Sequence, residues 1–177
     1  MVAPAWALAA AGRRTLRQDG GWVAGLALPI LLSHQAEEWV RPGGFLPFCN
    51  QRLLGSDRPD WPLTERLGFH VNVSVGWTTA VAGWLLWRRA PAVAAAVLWI
   101  EGSNAAMHAG MAVHERCYNP GAASVALLMG PHAVAGARWI ARSRRLSRRA
   151  GLFSAGAGVA FAGLPIAMKL RMRGGQA

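Results

Sequence analysis

Runs of about 20 mostly apolar residues alternate along the chain with short polar connectors. A helix needs about 20 apolar residues to cross the hydrocarbon core of a bilayer, so this pattern predicts transmembrane helices. Arg88, Arg89 and Pro91 mark a tight turn between two of these runs. Five segments are predicted, at residues 22–40, 68–87, 91–112, 121–140 and 151–168. The predicted fold class is all-α, an integral membrane helical bundle of four to five transmembrane helices.

The composition agrees with a membrane protein. Hydrophobic residues make up 53% of the 177 residues and charged residues only 15%, whereas a soluble domain carries about 25% charged residues. The chain is divided into an N-terminal cytoplasmic or interfacial segment (1–21), the bundle (22–168) and a basic C-terminal tail (169–177). Arg13, Arg14 and Arg17 follow the apolar residues 1–12 instead of preceding them, so a secretory signal is not expected.

The net charge of +11 comes from basic residues grouped at the ends of the apolar segments. Such grouping follows the positive-inside rule, so we expect the cytoplasmic membrane with a cytoplasmic N-terminus, and no nucleic-acid partner. Connectors 41–67 and 113–120 then lie outside. The fifth segment places its basic C-terminal flank outside against the rule, so it either crosses or lies tilted and re-entrant. Its small residues suit close packing or a homodimer: Gly156, Gly158, Ala162 and Gly163.

Both cysteines, Cys49 and Cys117, fall in connectors expected on the same outer side. In an oxidising exterior they can form one disulfide between the two loops. Two free thiols are the alternative, and the spacing does not decide between them.

Several ionisable residues fall inside the apolar segments, where each costs about 2.5–3.5 kcal/mol, so they are functional candidates. Helical spacing places the polar residues of the first segment, His34, Glu37 and Glu38, toward one side of the helix. It places those of the third segment, Glu101, Asn104 and His108, in one stripe. All of them lie in the same half of the bilayer. The predicted metal ligands are His34, Glu37, Glu38, His70, Glu101 and His108, with Asn104 orienting one of them.

Histidine with carboxylate suits a metal site for zinc or iron, with one or two ions. The predicted catalytic groups are Glu37, Glu38 and Glu101, together with Tyr118 as a hydrogen-bond donor from the outer loop. His132, alone in the fourth segment, is interpreted as a hydrogen-bonded packing residue outside the site.

Three short motifs resemble a known family. His34 to Glu38 reads His-x-x-Glu-Glu, Asn104-x-x-x-His108 follows, and Tyr118-Asn119-Pro120-Gly121 comes last. With these motifs the chain resembles the HXXEE domain family of small multi-pass membrane proteins, over about residues 25–135. Ser124 stands where a threonine is expected in the last motif, which leaves the hydroxyl in place. The resemblance implies a membrane bundle with these positions as its site, and it implies no reaction.

The chemistry therefore comes from the residues. The leading hypothesis is a membrane-embedded, metal-dependent enzyme for a hydrophobic or lipid-like substrate, acting by hydrolysis with zinc or by oxidation with a di-iron centre. Besides the substrate, membrane lipids are the expected partners. One alternative is a metal-free isomerase or cyclase that uses the same residues as acid and base. The other is a small proton-coupled transporter, which the lack of internal repeats disfavours.

Overall fold

The computed structural model describes residues 21–174, and this part of the chain is all-helical. Apart from Gly21, the predicted N-terminal segment lies outside the described residues, as do the last three residues of the predicted basic tail. A helical rod is present at each of the five predicted segments.

The first, third and fifth rods are uninterrupted α-helices. Pro91 occupies the first turn of its helix, where its missing N–H costs nothing, and Arg116 ends that helix in the left-handed conformation. These helices are α1 (Gly21–Trp39), α4 (Pro91–Glu115) and α6 (Arg148–Gly174).

The second and fourth rods each contain a π-helical stretch. Thr64 caps the start of the second rod, where its hydroxyl accepts a hydrogen bond from Leu67 N. Rod α3 comprises Glu65–Phe69, the π-helix His70–Trp77 and Thr78–Leu86. Rod α5 comprises Ala122–Ser124, the π-helix Val125–Met129 and Gly130–Arg142. The connector before α3 holds a short helix, α2 (Phe45–Pro47), which continues as the π-helix Phe48–Leu53.

Two of the basic groups meet at one end of the bundle. The guanidinium carbons of Arg88 and Arg145 lie 4.9 Å and 5.4 Å from the ring centroid of Trp87. Arg88 follows α3 and Arg145 precedes α6, so both connectors share what we call the basic end. Beside it, small residues of α1 and α4 pack with larger side chains in an apolar core: Val23, Ala24, Ala94, Ala95, Leu98 and Trp139.

The other end, which we call the loop end, carries the two long connectors. Arg52 pairs with Glu115 at 3.7 Å, which joins the connector before α3 to the end of α4. Asn50 is fully buried and organises that connector. Its Nδ2 donates to the carbonyl oxygens of Pro59 and Leu63, and its Oδ1 accepts from Leu63 N.

Helix α6 runs from the basic end to the loop end along α4. Its 27 residues correspond to about 40 Å, and Met168 near its end packs against the buried loop-end residues Cys49 and Leu63. A Cβ added at Gly158 would lie 2.9 Å from the carbonyl oxygen of Trp99, so the two backbones approach closely. The fifth segment therefore extends along the whole bundle as one helix.

The helix Arg148–Leu170 within α6 is long and apolar enough to cross a membrane, and among the described helices it alone meets both conditions. Most of its surface is exposed, including Phe153, Val159 and Ile166. The structure therefore supports one candidate span, and a bundle of four to five spans is not confirmed.

Cys49 and Cys117 are both free thiols, so the structure favours the free-thiol alternative over the disulfide. Cys49 is buried, and burial raises the pKa of its thiol to about 12, whereas Cys117 is exposed. Because the thiolate is the reactive form, we expect maleimide to label Cys117 quickly and Cys49 only after unfolding, with or without reductant. Mass spectrometry of the labelled protein measures this. A protein that takes up no label without reductant, even when unfolded, would contradict it.

Candidate metal centre

Three potential ligand atoms from two helices meet in one buried cluster, which we call the His-Glu-His cluster. His34 and Glu38 lie one turn apart on α1, and His108 comes from α4. His34 Nε2 is 3.3 Å from Glu38 Oε1, and His108 Nε2 is 3.1 Å from the same oxygen. The imidazole centroids are 4.7 Å apart with the rings edge to face. All three side chains are buried, so bulk water does not separate them.

Ser124 determines which nitrogen of His34 carries the proton. His34 Nδ1 lies 2.9 Å from Ser124 Oγ. That hydroxyl donates its one proton to the Gly121 carbonyl oxygen at 3.0 Å, so it can only accept from His34. Neutral His34 is therefore protonated at Nδ1 and turns the lone pair of Nε2 toward Glu38. The hydroxyl that Ser124 retains in place of threonine thus fixes the tautomer of His34.

Asn119 orients His108 in the same way. Its Nδ2 donates to the His108 backbone carbonyl at 3.0 Å, which leaves Oδ1 to accept from His108 Nδ1 at 2.7 Å. Phe45 stacks on the imidazole with ring centroids 5.7 Å apart. Neutral His108 therefore also presents an Nε2 lone pair to Glu38. Partners of this kind on the outer nitrogen are typical of histidines that bind metals.

With both imidazoles neutral, the His-Glu-His cluster places three electron-rich atoms together without a proton between them. His108 Nε2 has no hydrogen-bond partner, although it lies 3.1 Å from Glu38 Oε1. Buried polar atoms without partners are rare and need a reason. Two ligands bound at 2.0–2.1 Å to one tetrahedral ion lie about 3.3 Å apart. The residues present therefore fit one cation.

Asn104 contacts the His-Glu-His cluster from α4. Its Nδ2 lies 3.0 Å from His34 Nε2 and 3.8 Å from Met129 Sδ. The amide N–H thus occupies the lone pair of His34 that faces Glu38, and Asn104 has to release it before His34 Nε2 binds a cation. The role of Asn104 as a residue that orients a ligand stays a prediction.

Glu37 is directed away from Glu38 and caps the start of α5. Its Oε1 accepts from Ala123 N at 2.9 Å, and its Oε2 accepts from Ser124 N at 2.6 Å. Backbone N–H groups at a helix start stabilise a negative charge. The two glutamates of the motif therefore differ: Glu38 faces the histidines, and Glu37 secures the helix that carries Ser124.

Tyr118 contacts Glu37 and not the His-Glu-His cluster. Its hydroxyl donates to Glu37 Oε1 at 2.6 Å. Burial and the neighbouring carboxylate raise the pKa of Tyr118 to about 12. The phenol is therefore neutral near pH 7 and remains a donor, which holds the loop after α4 against α1.

Gly121 closes the His-Glu-His cluster, and the sequence pattern indicated only a turn there. Its φ of 103° is unfavourable for other residues. An added Cβ would lie 2.6 Å from His34 Cε1 and 2.7 Å from His108 Cε1. Both imidazoles thus rest against the Gly121 backbone. The motif that contains Asn119 and Gly121 was the available signal, because tight turns and close approaches require such residues.

Glu101 lies outside the His-Glu-His cluster and pairs with His132 of α5. Glu101 Oε2 is 2.7 Å from His132 Nδ1, and His132 Nε2 is 2.8 Å from the Val23 carbonyl oxygen. Glu101 and His132 are both buried. His132 is therefore hydrogen-bonded, as expected, but its partner is a residue that the sequence assigned to the metal.

His70 is exposed and lies on the π-helical stretch of α3, apart from the His-Glu-His cluster. Its Nδ1 is 3.2 Å from Ser74 Oγ, and its ring meets Phe69 edge to face. Of the six predicted ligands, the structure brings together His34, Glu38 and His108. It places Glu37, Glu101 and His70 with other partners.

An apolar cavity of about 310 Å³ adjoins the His-Glu-His cluster. Its polar lining includes two of the cluster residues together with side chains from α1, α3 and α4: His34, Gln35, Glu38, Asn72, Thr79, Glu101 and Asn104. Its apolar walls come from α1, α3, α4 and α6: Ala27, Leu31, Ala80, Val97, Phe161 and Leu164. Ligand pockets of about 300–1,000 Å³ with few polar groups are typical of small-molecule sites.

A protein-family model described as "Protein of unknown function with HXXEE motif" matches residues 25–135. This chain belongs to the HXXEE family. No curated protein and no solved structure matches it. The matched range of the HXXEE domain contains the His-Glu-His cluster and the Glu101–His132 pair, whereas α6 lies beyond it. The resemblance to the HXXEE family noted from the motifs is confirmed, whereas its multi-pass membrane character is not.

Proposed function

We propose that this HXXEE domain is a membrane-embedded, metal-dependent enzyme in which His34, Glu38 and His108 bind one divalent ion, zinc or iron. The observation that carries the proposal is the convergence of two histidine Nε2 atoms on one carboxylate oxygen. The outer nitrogens of both histidines already donate to Ser124 and Asn119. A cation would stabilise the Glu38 carboxylate and the two Nε2 lone pairs together, once Asn104 releases the lone pair of His34.

One ion is proposed, and not two, because the cluster offers a single carboxylate. Dinuclear sites in helical bundles use several bridging carboxylates. Among the described residues, Glu37 is held at the start of α5 and Glu101 by His132. Two histidines and one carboxylate are the ligand set of zinc hydrolases and also of mononuclear non-haem iron oxygenases. Hydrolysis with zinc and oxidation with iron are therefore the two proposed reaction classes, and the bound metal distinguishes them.

The substrate is proposed to be a hydrophobic molecule with one polar group that reaches the ion. Support comes from the cavity of about 310 Å³, which has mostly apolar walls and is bordered by the proposed ligands His34 and Glu38. A water molecule occupies about 30 Å³ of liquid, and a methylene group has a similar size. The cavity therefore accommodates a chain of about ten carbon atoms.

The membrane location is proposed from the surface of the bundle. The exposed apolar side chains of α6 suit lipid contact, and the arginines of two connectors gather at the basic end. With the basic end cytoplasmic, the loop end and the His-Glu-His cluster lie toward the outer side. Cysteine substitutions at each end, labelled from one side of sealed vesicles, test this orientation.

Alkyl hydroxamates of increasing chain length test the metal and the cavity together. Hydroxamate binds zinc and iron, and each buried methylene contributes about 0.8 kcal/mol. We expect the metal-loaded protein to bind each longer homologue about fourfold more tightly until the cavity is full. Calorimetry measures the affinities, and elemental analysis identifies the metal. In the variant Ala80→Phe the larger side chain fills part of the cavity. We expect its affinity for hydroxamates to stop rising at a shorter chain length, while the protein keeps the metal.

The controls separate the parts of the proposal. Gly163 lies on α6 with open space around it, so Gly163→Ala is expected to leave the affinity for each hydroxamate unchanged. Binding of hydroxamates that does not depend on metal would favour the metal-free acid and base alternative. A purified protein that takes up neither zinc nor iron would contradict the proposal.

A further inference from the structure

The Glu101–His132 pair holds one proton between its two side chains. The Val23 carbonyl oxygen can only accept, so His132 Nε2 carries a proton and donates it. His132 Nδ1 and Glu101 Oε2 lie 2.7 Å apart, a distance at which one proton is shared between nitrogen and oxygen. The pair is therefore either an imidazolium with a carboxylate or a neutral imidazole with a carboxylic acid.

Glu101 also has an oxygen without a partner. Its Oε1 is buried and makes no hydrogen bond among the described residues. A carboxyl group that served only to link helices would gain from a donor at both oxygens, because an unsatisfied buried acceptor costs about 1–3 kcal/mol. Oε1 of Glu101 thus has no donor and retains a lone pair that can hold a proton.

The pair and the His-Glu-His cluster border the same cavity. Glu101 is three residues before Asn104 on α4, so the two side chains share a face and are about 4.5 Å apart along the helix. Asn104 contacts His34 Nε2 at 3.0 Å. Glu101, His34, Glu38 and Asn104 all line the cavity of about 310 Å³. A ligand that extends from the cluster into the cavity therefore also borders Glu101.

We propose that Glu101 is the general base of this site and that His132 is its positioning residue. This inference rests on the proposed function. Glu101 Oε1 accepts the proton that a water or a neutral acid loses when it binds the ion. The pair acts in its imidazolium–carboxylate form: the O–H bond of the ligand breaks, a new O–H bond forms on Glu101, and His132 remains the imidazolium that donates to Oε2. Charge is conserved, and no electron transfer takes place.

A purely structural role makes a different prediction. Val23, Glu101 and His132 come from α1, α4 and α5, so their hydrogen bonds also tie three helices together. If that were the whole role, substitutions would lower stability and leave proton transfer unchanged. The number of protons released on ligand binding separates the two roles.

The experiment is calorimetry of octanohydroxamic acid binding to the zinc-saturated full-length protein, in buffers with different ionisation enthalpies. The pH is kept below about 7, where metal-bound water is still neutral. The acid binds as its anion and so loses one proton. We expect the parent to release almost none to the buffer and Glu101→Gln to release about one per ligand. His132→Asn is expected to release about one as well, because a buried carboxyl without the imidazolium is already protonated.

Glu115→Gln is the matched control, since Glu115 pairs with Arg52 at the loop end, and it is expected to behave like the parent. Equal proton release from the parent and Glu101→Gln would overturn the inference. If Glu101→Gln does not fold, His132→Asn decides by the same criterion. Failure of the proposed function is seen separately, as a parent that retains no zinc before any hydroxamate is added.

Discussion

Glu38→Gln is expected to weaken zinc binding by more than about 100-fold, whereas the neighbouring Glu37→Gln keeps the metal. Glu38 Oε1 faces both histidine Nε2 atoms, and glutamine supplies no negative charge to a divalent ion. Loss of a residue that merely supports a metal ligand costs about 10–100-fold, so loss of a ligand costs more. Elemental mass spectrometry after dialysis against a weak chelator measures the difference.

Glu37→Gln is expected to act on stability. It removes the charge that accepts hydrogen bonds from Tyr118, Ala123 and Ser124. Hydrogen bonds to a charged group contribute about 1.5–3 kcal/mol, so we expect a loss of that order in the free energy of unfolding. The two variants remove the same charge from adjacent positions and serve as controls for each other. Equal metal loss in both would contradict the different roles assigned to the two glutamates.

Gly121→Ala is expected to abolish metal binding and lower the free energy of unfolding by about 2–5 kcal/mol. The new Cβ would lie 2.6 Å from His34 Cε1 and 2.7 Å from His108 Cε1, so both rings must move. Overpacking costs about 1–3 kcal/mol, and a side chain at this positive φ adds about 1–2 kcal/mol. Metal content and thermal unfolding in detergent measure the two effects.

Gly110→Ala is the control for this variant. Gly110 lies two residues after His108 on α4, and an added Cβ meets nothing within 4 Å. Alanine in a helix is more favourable than glycine by about 0.5–1 kcal/mol, so we expect equal or higher stability with full metal content. Full metal content in Gly121→Ala would show that the imidazoles do not depend on the glycine.

Local patterns were sufficient for the helices and for part of the site. Apolar runs predicted a rod at each of the five observed positions, because helix length and apolar composition are local properties. Spacing placed His34 and Glu38 on one side of α1, and it placed Asn104 and His108 on one face of α4. The charge rule left open whether the fifth segment crosses the membrane, and packing against α4 and the loop end shows only that α6 runs along the whole bundle.

Spacing could not assign partners across helices. Glu37 and Glu38 are adjacent, and only the position of α5 shows that one caps a helix start while the other meets two histidines. Glu101 shares a stripe with His108, yet it pairs with His132, because the rotation of α5 brings that imidazole against it. A helical period indicates which residues share a face, but it carries no information about which helix lies opposite.

The amino-acid sequence was therefore enough for the all-helical class, the family and a short list of residues able to bind a metal. The tertiary structure selected His34, Glu38 and His108 from that list and added Asn119, Ser124 and Gly121 as the residues that hold them. The physical reason is that helices form through bonds between near neighbours in the chain. A metal site instead needs lone pairs from distant segments to meet within a few Å, and that depends on how the helices pack.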